Sequence, residues 1–324
     1  MLAWPALALL RKNLPDAHIA VLVPAYTEPL ARVCPSADEV IVDPKLKGEW
    51  RNGRALTRLI KPRQFDAVVT LFSRFDTALA AWLTGIPLRY APATKLAQVF
   101  YNHRIPQRRS RSEKPEYEYN LDLVKAFLAG QGIDDIQPVA PPYLQFPDKE
   151  VQVLEEAFRR EQRIPSADRL IFLHSGHGGS ANNLSLEQYA ALARALGALP
   201  RIHFVLTAGP GEEVRAQKLS DQLAGVPHSI ARSADGLVAF AKRLQFAALF
   251  ISGSTGPLHI AGALNRPTAA FYPRRRSSTA LRWQTANDPD KRLAFMPPET
   301  AEESDMAAID VETATIEIGK RFLK

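Results

Sequence analysis

Three short segments place glycine beside hydroxyl, carboxylate or imidazole side chains directly after an apolar run. They are His174-Ser175-Gly176-His177-Gly178-Gly179-Ser180, Ala208-Gly209-Pro210-Gly211-Glu212-Glu213 and Ser252-Gly253-Ser254-Thr255-Gly256-Pro257-Leu258-His259. Glycine lets a backbone approach a phosphate closely, and Ser and Thr hydroxyls add donors. In the second segment the acids could accept from sugar hydroxyls. In the third, His259 stands where a following helix begins and its imidazole could donate to a phosphate. His174 and His177 are three apart with no acidic partner on a helix, which argues against zinc. No nucleophile elbow or Ser-His-Asp order marks a covalent hydrolase. Neither the dinucleotide fingerprint nor the Walker pattern is present, which counts against a dehydrogenase or a P-loop NTPase.

Such turns act together only if one sheet edge gathers them, and the hydrophobic pattern predicts that sheet. HIAVLVP, EVIVDP and FDAVVTLF read as strands in the first half, with helices in PALALLRKNLP and DTALAAWLTG, the latter closed by Gly85. EYEYNLDLVKAFLAGQGI reads as a helix ending at Gly130 or Gly132, and the proline-rich residues 134–150 as a linker with one edge strand. The alternation then restarts. RLIFLHSG is a strand entering a glycine turn, SLEQYAALARALGAL a helix capped by Ser185, and RIHFVLTAGPGEE and LFISGSTGPLHIAGAL repeat strand, turn and helix before the strand RPTAAFYP. Strands alternating with helices predict parallel sheets covered on both faces, and ligands then bind at the carboxyl ends of the strands. The expected fold class is α/β, with two doubly wound domains.

The 324 residues suit two domains, and 46% hydrophobic with 23% charged residues excludes global disorder. The single cysteine, Cys34, excludes a disulfide framework and a cysteine-built metal site. No apolar run reaches the roughly 18 residues of a membrane span. The opening MLAWPALALL has neither the basic start nor the cleavage site of a signal peptide, so the chain reads as cytoplasmic. A net charge of +7 favours anionic partners, and the basic residues gather in Arg104–Lys114 (RIPQRRSRSEK) and Arg274-Arg275-Arg276. Nothing interleaves aromatic and basic residues in the manner of a nucleic-acid module, so no nucleic-acid partner is expected.

SGSTGPLHIAGAL (252–264) resembles the signature of the glycosyltransferase family 9 heptosyltransferases, which build the inner core of lipopolysaccharide. The family's form is Asp-Ser/Thr-Gly-x-x-His before an alanine-rich helix; Thr255, Gly256 and His259 match it, and Ser254 occupies the aspartate position. PALALLRKNLPDAHIAVLV, FDAVVTLFSRFDTALAAWLTGIPLRY, EYEYNLDLVKAFLAGQGI and HSGHGGSANNLSLEQYAALARAL are similar to further family segments, so the resemblance spans nearly the whole chain. It implies the GT-B fold, two Rossmann-like domains facing a cleft. Residues 1–140 would form the acceptor domain without its first strand, 141–150 the linker, 151–310 the nucleotide-sugar domain, and 311–324 a helix packing back on the first domain. The family's first strand and Gly-Asp turn, which holds its proposed general base, precede the segment matching Met1–Pro5. The expectation is that they lie upstream of Met1, the other reading being a variant without the base; no catalytic residue is assigned.

The implied activity is inverting, metal-independent and cofactor-free transfer of a heptose or related sugar, from ADP-heptose before other donors, to a lipopolysaccharide-core or similar glycan. Donor contacts fall to Ser175, Gly176, Ser180, Asn182, Gly209, Gly211, Ser254, Thr255, Gly256 and His259, with Asn182 or Asn183 where the family has a basic residue. Acceptor contacts fall to Arg104, Arg108, Arg109 and Arg111, suited to a phosphorylated glycolipid at the inner-membrane surface. Ser254 and the missing turn favour a second reading, a sugar-nucleotide-binding pseudoenzyme. A sugar-nucleotide epimerase of the same fold is the third.

Overall fold

A computed structural model describes the chain except Lys95, residues 177–181 and 233–235, and the side chain of Arg232. It divides into two compact units, Leu2–Ala140 and Pro141–Lys324, with Met1 grouped with the second.

In the N-terminal unit the elements are α1 (Trp4–Asn13), β1 (Ala20–Pro24), α2 (Glu28–Arg32), β2 (Glu39–Asp43), α3 (Glu49–Ile60), β3 (Ala67–Val69), α4 (Phe75–Leu83), β4 (Leu88–Pro92), β5 (His103–Ile105) and α5 (Glu116–Gly130). All strand pairs are parallel, but they form two sheets, β1-β2 and β3-β4-β5. In Rossmann order one further strand would stand between β1 and β3, and none of the described residues fills that place. AVLVP of β1 and AVV of β3 contain no fully buried residue. Helices α1 and α5 cover one face through Ala6, Leu9, Val124, Phe127 and Leu128 around Tyr90. Helices α3 and α4 approach closely because Gly53 lacks a Cβ, which would lie 3.2 Å from the Asp76 carbonyl.

Elements of the C-terminal unit are α6 (Asp148–Glu161), β6 (Arg169–His174), α7 (Leu186–Gly197), β7 (Ile202–Ala208), α8 (Glu213–Asp221), β8 (His228–Arg232), α9 (Gly236–Gln245), β9 (Leu249–Gly253), α10 (Gly256–Ala263), β10 (Thr268–Phe271), α11 (Ala280–Trp283), β11 (Arg292–Phe295) and α12 (Val311–Phe322). The six strands form one parallel sheet ordered β11-β10-β9-β6-β7-β8, the doubly wound Rossmann arrangement. Every residue of β7 and β9 is buried, including the polar His203, Thr207 and Ser252, in keeping with their largely apolar sequences. Strand order reverses between β6 and β9, paired with Ile171 opposite Leu249 and His174 opposite Ser252.

Residues 141–150 belong to this unit rather than standing apart. They form no edge strand: Tyr143 and Leu144 N–H groups donate to the Ala263 carbonyl at 2.8 and 3.1 Å, and Phe146 N–H donates to Gln245. The prolines there deny a ladder its donors, so single hydrogen bonds do the tethering. Helix α12, expected against the first domain, packs on α7 of its own unit and places Ala314 and Ile318 in that unit's core with Leu196 and Phe204.

Candidate functional site

The switch point between β6 and β9 is where a parallel sheet opens a crevice at its carboxyl edge, and the first and third glycine turns both begin there. The second follows β7, the next strand along. All three turns predicted to act together thus leave one sheet edge.

Two side chains stitch the described parts of these turns. Glu212 folds back so that its carboxylate accepts from the Gly209 N–H at 3.0 Å and lies 3.5 Å from His174 Nε2. A Cβ on Gly176 would fall 2.1 Å from that carboxylate. Asn183 donates to the carbonyls of Ser175 at 3.0 Å and Gly176 at 3.2 Å, and its Oδ1 accepts from Leu184 N–H at 2.9 Å and the Tyr189 hydroxyl at 2.5 Å. A Cβ on Gly253 would meet that Oδ1 at 2.5 Å. Sequence reasoning takes such glycines as room for a phosphate; at Gly176 and Gly253 the room is taken by protein side chains. Gly211 and Gly256 do keep open approach, with nothing within 4 Å of where a Cβ would stand. Gly211 is also required by its φ of +83°, whereas Gly256 has no such backbone reason to be glycine.

Arg215, in the first turn of α8, donates to the carbonyls of Ser175 at 2.7 Å and Leu184 at 3.3 Å. It brings a guanidinium to the same edge with no carboxylate in ion-pair distance among the described residues. Ser185 caps α7 in a full capping box with Gln188, as its spacing predicts. Burial lowers the His174 pKa despite Glu212, and its Nδ1 lies 3.0 Å from Thr207 Oγ1, so it is a neutral, structurally engaged ring.

At the third turn Thr255 is the N-cap of α10, yet its side chain makes no capping bond; Oγ1 is 3.5 Å from Ser252 Oγ. The positive end of α10 is therefore left without a side-chain acceptor, with Gly256 exposed beside it. His259 is half-buried, but its Nδ1 is sealed from solvent without a hydrogen-bond partner among the described residues, and burial pushes its pKa down to about 3. Such an imidazole is neutral and has a polar atom to spare. Ser254 is half-buried with no side-chain hydrogen bond among the described residues.

Other expected donor residues fare differently. Ser180, with His177, lies outside the described residues. Asn182 is exposed and among the described residues reaches only the Ser304 carbonyl at 3.4 Å; its neighbour Asn183 is the one built into the edge. Arg274 is committed to the carbonyls of Glu299 and Ala301, while Arg275 and Arg276 are exposed beyond β10. Sequence reasoning alone misses the parts played by Asn183 and Arg215. Their signals are slight: a position two before a helix cap, and a basic residue three after Glu212.

In the N-terminal unit the predicted acceptor arginines separate. Arg109 is ion-paired to Glu116 at 2.5 Å, bonded to Asn120 and Gln107, and set over the Tyr119 ring. Lys114 pairs with Asp122. Arg104 and Arg108 are exposed and in no ion pair among the described residues, and Arg111 has only a 3.7 Å contact with exposed Glu113. At the carboxyl end of β2, Arg74 bridges buried Asp43, at 2.9 Å, and buried Asp76, and Asn52 donates to both carboxylates at 3.0 and 2.8 Å. Burial opposes ionisation of Asp43, but Asn52, the Lys45 N–H and Arg74 outweigh it and hold its pKa below the usual range. Among the described residues no group of His, Cys, Asp and Glu converges to hold a metal ion.

A family model for glycosyltransferase family 9 (heptosyltransferase) matches residues 53–293. A Haemophilus influenzae protein named "Putative glycosyltransferase" is 44% identical over 319 residues, covering 98% of this chain and 92% of its own. The solved glycosyltransferase family 9 structure from Veillonella parvula superposes with a TM-score of 0.80 at 18% identity, covering 99% of this chain and 93% of that one. The Escherichia coli structure described as ADP-heptose lps heptosyltransferase II gives 0.75 at 18% identity, covering 99% and 94%.

Proposed function

The chain belongs to glycosyltransferase family 9, and from that premise we propose that it moves a heptose from ADP-heptose to a glycan acceptor of the lipopolysaccharide-core type. It is a glycosyltransferase with the α/β fold of the GT-B class; donor and acceptor are the proposal. One observation carries the donor half. At the switch point, an uncapped helix N-terminus, the open Gly256, the buried Thr255 and the partnerless Nδ1 of His259 converge where a diphosphate needs donors. Glu212, at the turn after β7, would accept from ribose hydroxyls in this reading. The name of the E. coli structure supplies ADP-heptose as the donor to test first.

In the proposed reaction an acceptor hydroxyl gives up its proton to a carboxylate base and attacks the anomeric carbon, the bond to the diphosphate oxygen breaks, and configuration inverts. The leaving diphosphate gains charge, which the dipole of α10 and its N–H groups offset without a bound metal. His259 is neutral, and as the Nδ1–H tautomer it would donate a neutral hydrogen bond to a phosphate oxygen that reaches the now sealed Nδ1. Exposed Arg104, Arg108 and Arg111 would meet acceptor phosphates. Asp43 and Asp76 are poor candidates for the base, since Arg74 and Asn52 already engage them, and no base is assigned.

Release of ADP from ADP-heptose, followed with and without heptose-deficient core glycolipid, tests the reading. Acceptor-dependent release is expected. Tight ADP binding without release from any sugar nucleotide would replace transfer by sugar-nucleotide binding alone.

A further inference from the structure

His174 ends β6, buried at the edge where the glycine turns meet, and the transfer step makes no use of it. Its two ring nitrogens face different partners. Nδ1 lies 3.0 Å from Thr207 Oγ1 and 3.2 Å from the Thr207 carbonyl, and Nε2 lies 3.5 Å from Glu212 Oε2. Thr207 is buried as well. Burial lowers the His174 pKa, so the ring is neutral and carries one N–H.

Where that proton sits decides what the ring does. On Nδ1 it would serve the Thr207 carbonyl, but Nε2 would then turn a bare lone pair on a carboxylate. On Nε2 it points at Glu212, and Nδ1 accepts from the Thr207 hydroxyl. The other acceptor open to that hydroxyl, the Leu173 carbonyl, is farther off at 3.5 Å. A hydrogen bond to a charged acceptor is roughly twice as strong as one to a neutral carbonyl, so Nε2–H is the assigned tautomer. A chain of hydrogen bonds then runs from Thr207 through His174 to Glu212.

Glu212 Oε2 also accepts from the Gly209 N–H at 3.0 Å. Gly209 and Glu212 belong to one turn, so that bond by itself moves with the turn. A carboxylate held by one donor pivots about it, and a second donor on a rigid element fixes its plane. His174 is such a donor, because β6 is paired on both sides, with β7 and β9. The carboxylate runs over Gly176, where a Cβ would stand 2.1 Å from it, so the turn after β6 leaves it room. A site built to hydrogen-bond a hydroxyl rejects the analogue that lacks it only while its acceptor is held in place. We propose that His174 is a positioning residue: from the end of β6 it fixes Glu212, so that the site tells a ribose from a sugar without 2′ and 3′ hydroxyls. The proposal rests on the nucleoside-diphosphate reading of this edge and adds to it a residue that itself touches no ligand.

Calorimetric titration of the full chain with ADP and with 2′,3′-dideoxy-ADP tests it, the readout being the ratio of the two affinities. The parent chain should favour ADP about thirtyfold, as one hydrogen bond to a charged group supplies. His174→Leu should reduce that preference to about threefold, with affinity for the dideoxy nucleotide held within about twofold. His174→Gln, whose amide N–H can reach Glu212, should restore it to about tenfold or more. Thr207→Val, a milder change in the same chain, should leave about tenfold. In a Glu212→Ala background His174→Leu should lower the preference no further, since both changes remove one interaction. A preference that His174→Leu or Thr207→Val leaves intact, or an equal weakening of both nucleotides, would overturn the assignment while the diphosphate reading stands. ADP binding without any preference in the parent chain would take Glu212 off the ribose, and the proposal with it. No ADP binding at all would refute the diphosphate reading first.

Discussion

Gly253→Ala puts the architecture of the switch point to a quantitative trial. The new methyl would lie 2.5 Å from Asn183 Oδ1 and 2.9 Å from its Cγ, closer than any real contact allows. Asn183 cannot swing aside freely, because four hydrogen bonds fix it: two to the carbonyls of Ser175 and Gly176, one from Leu184 N–H and one from Tyr189. Tyr189 is fully buried, and burial raises its pKa, so its hydroxyl would be left dry and unpaired. Loss of these bonds at about 1 kcal/mol each, with partial relaxation, gives a destabilisation of about 3 kcal/mol. For a unit of this size that lowers Tm by about 6 to 12 °C. Gly256→Ala is the internal control: the site is open and no positive φ is required there, so stability should stay within about 0.5 kcal/mol while ADP affinity falls. Calorimetric melts of both variants decide the matter. If Gly253→Ala melts with the parent chain, or if Gly256→Ala falls as far, the interlock of Asn183 with β9 is wrong.

Further expectations concern charge. Arg74→Gln strands the buried carboxylates of Asp43 and Asp76, so urea denaturation should show a loss of about 3 kcal/mol; an unchanged midpoint would remove Arg74 from that network. His259 has a pKa of about 3 in the folded chain, below its value when unfolded, so its contribution to stability is complete above about pH 6.5 and is lost as pH falls toward 3. His259→Gln should recover about 1.4 kcal/mol of that loss at pH 5.5, and parallel pH curves for the two proteins would contradict the burial of the ring. Changing Arg104, Arg108 and Arg111 to Gln should raise the acceptor KM at least tenfold with ADP affinity unchanged; equal loss of both would make those residues structural.

How far the sequence speaks for itself varies by element. Strands dominated by apolar residues, such as LIFLH and HFVLTA, and helices with a strong stop or cap, such as Gly85 (φ +76°) and Ser185, lie where their patterns predict. Strands β4 and β5 have no such signature, because LRYAP carries an arginine and a proline and HRI is only three residues long. Pairing with neighbours, not local pattern, makes them strands. At the site, the three turns are legible because glycine and hydroxyl residues follow recognisable strands. What fills Gly176 and Gly253 is not, since Glu212 and Asn183 reach them through space from other turns. For the same reason Arg109 reads as a free cation in its basic run, whereas folding brings Glu116 and Asn120 of α5 against it.

The claim that most needs a direct result is that the β6/β9 edge binds a nucleoside diphosphate. Thermal unfolding in the presence of ADP, UDP, GDP and CMP measures it, since a ligand that binds only the folded state raises the transition temperature. A selective rise with ADP, diminished by Gly256→Ala, is the expected result. No rise with any of the four, or an ADP-induced rise that Gly256→Ala leaves intact, would contradict the assignment.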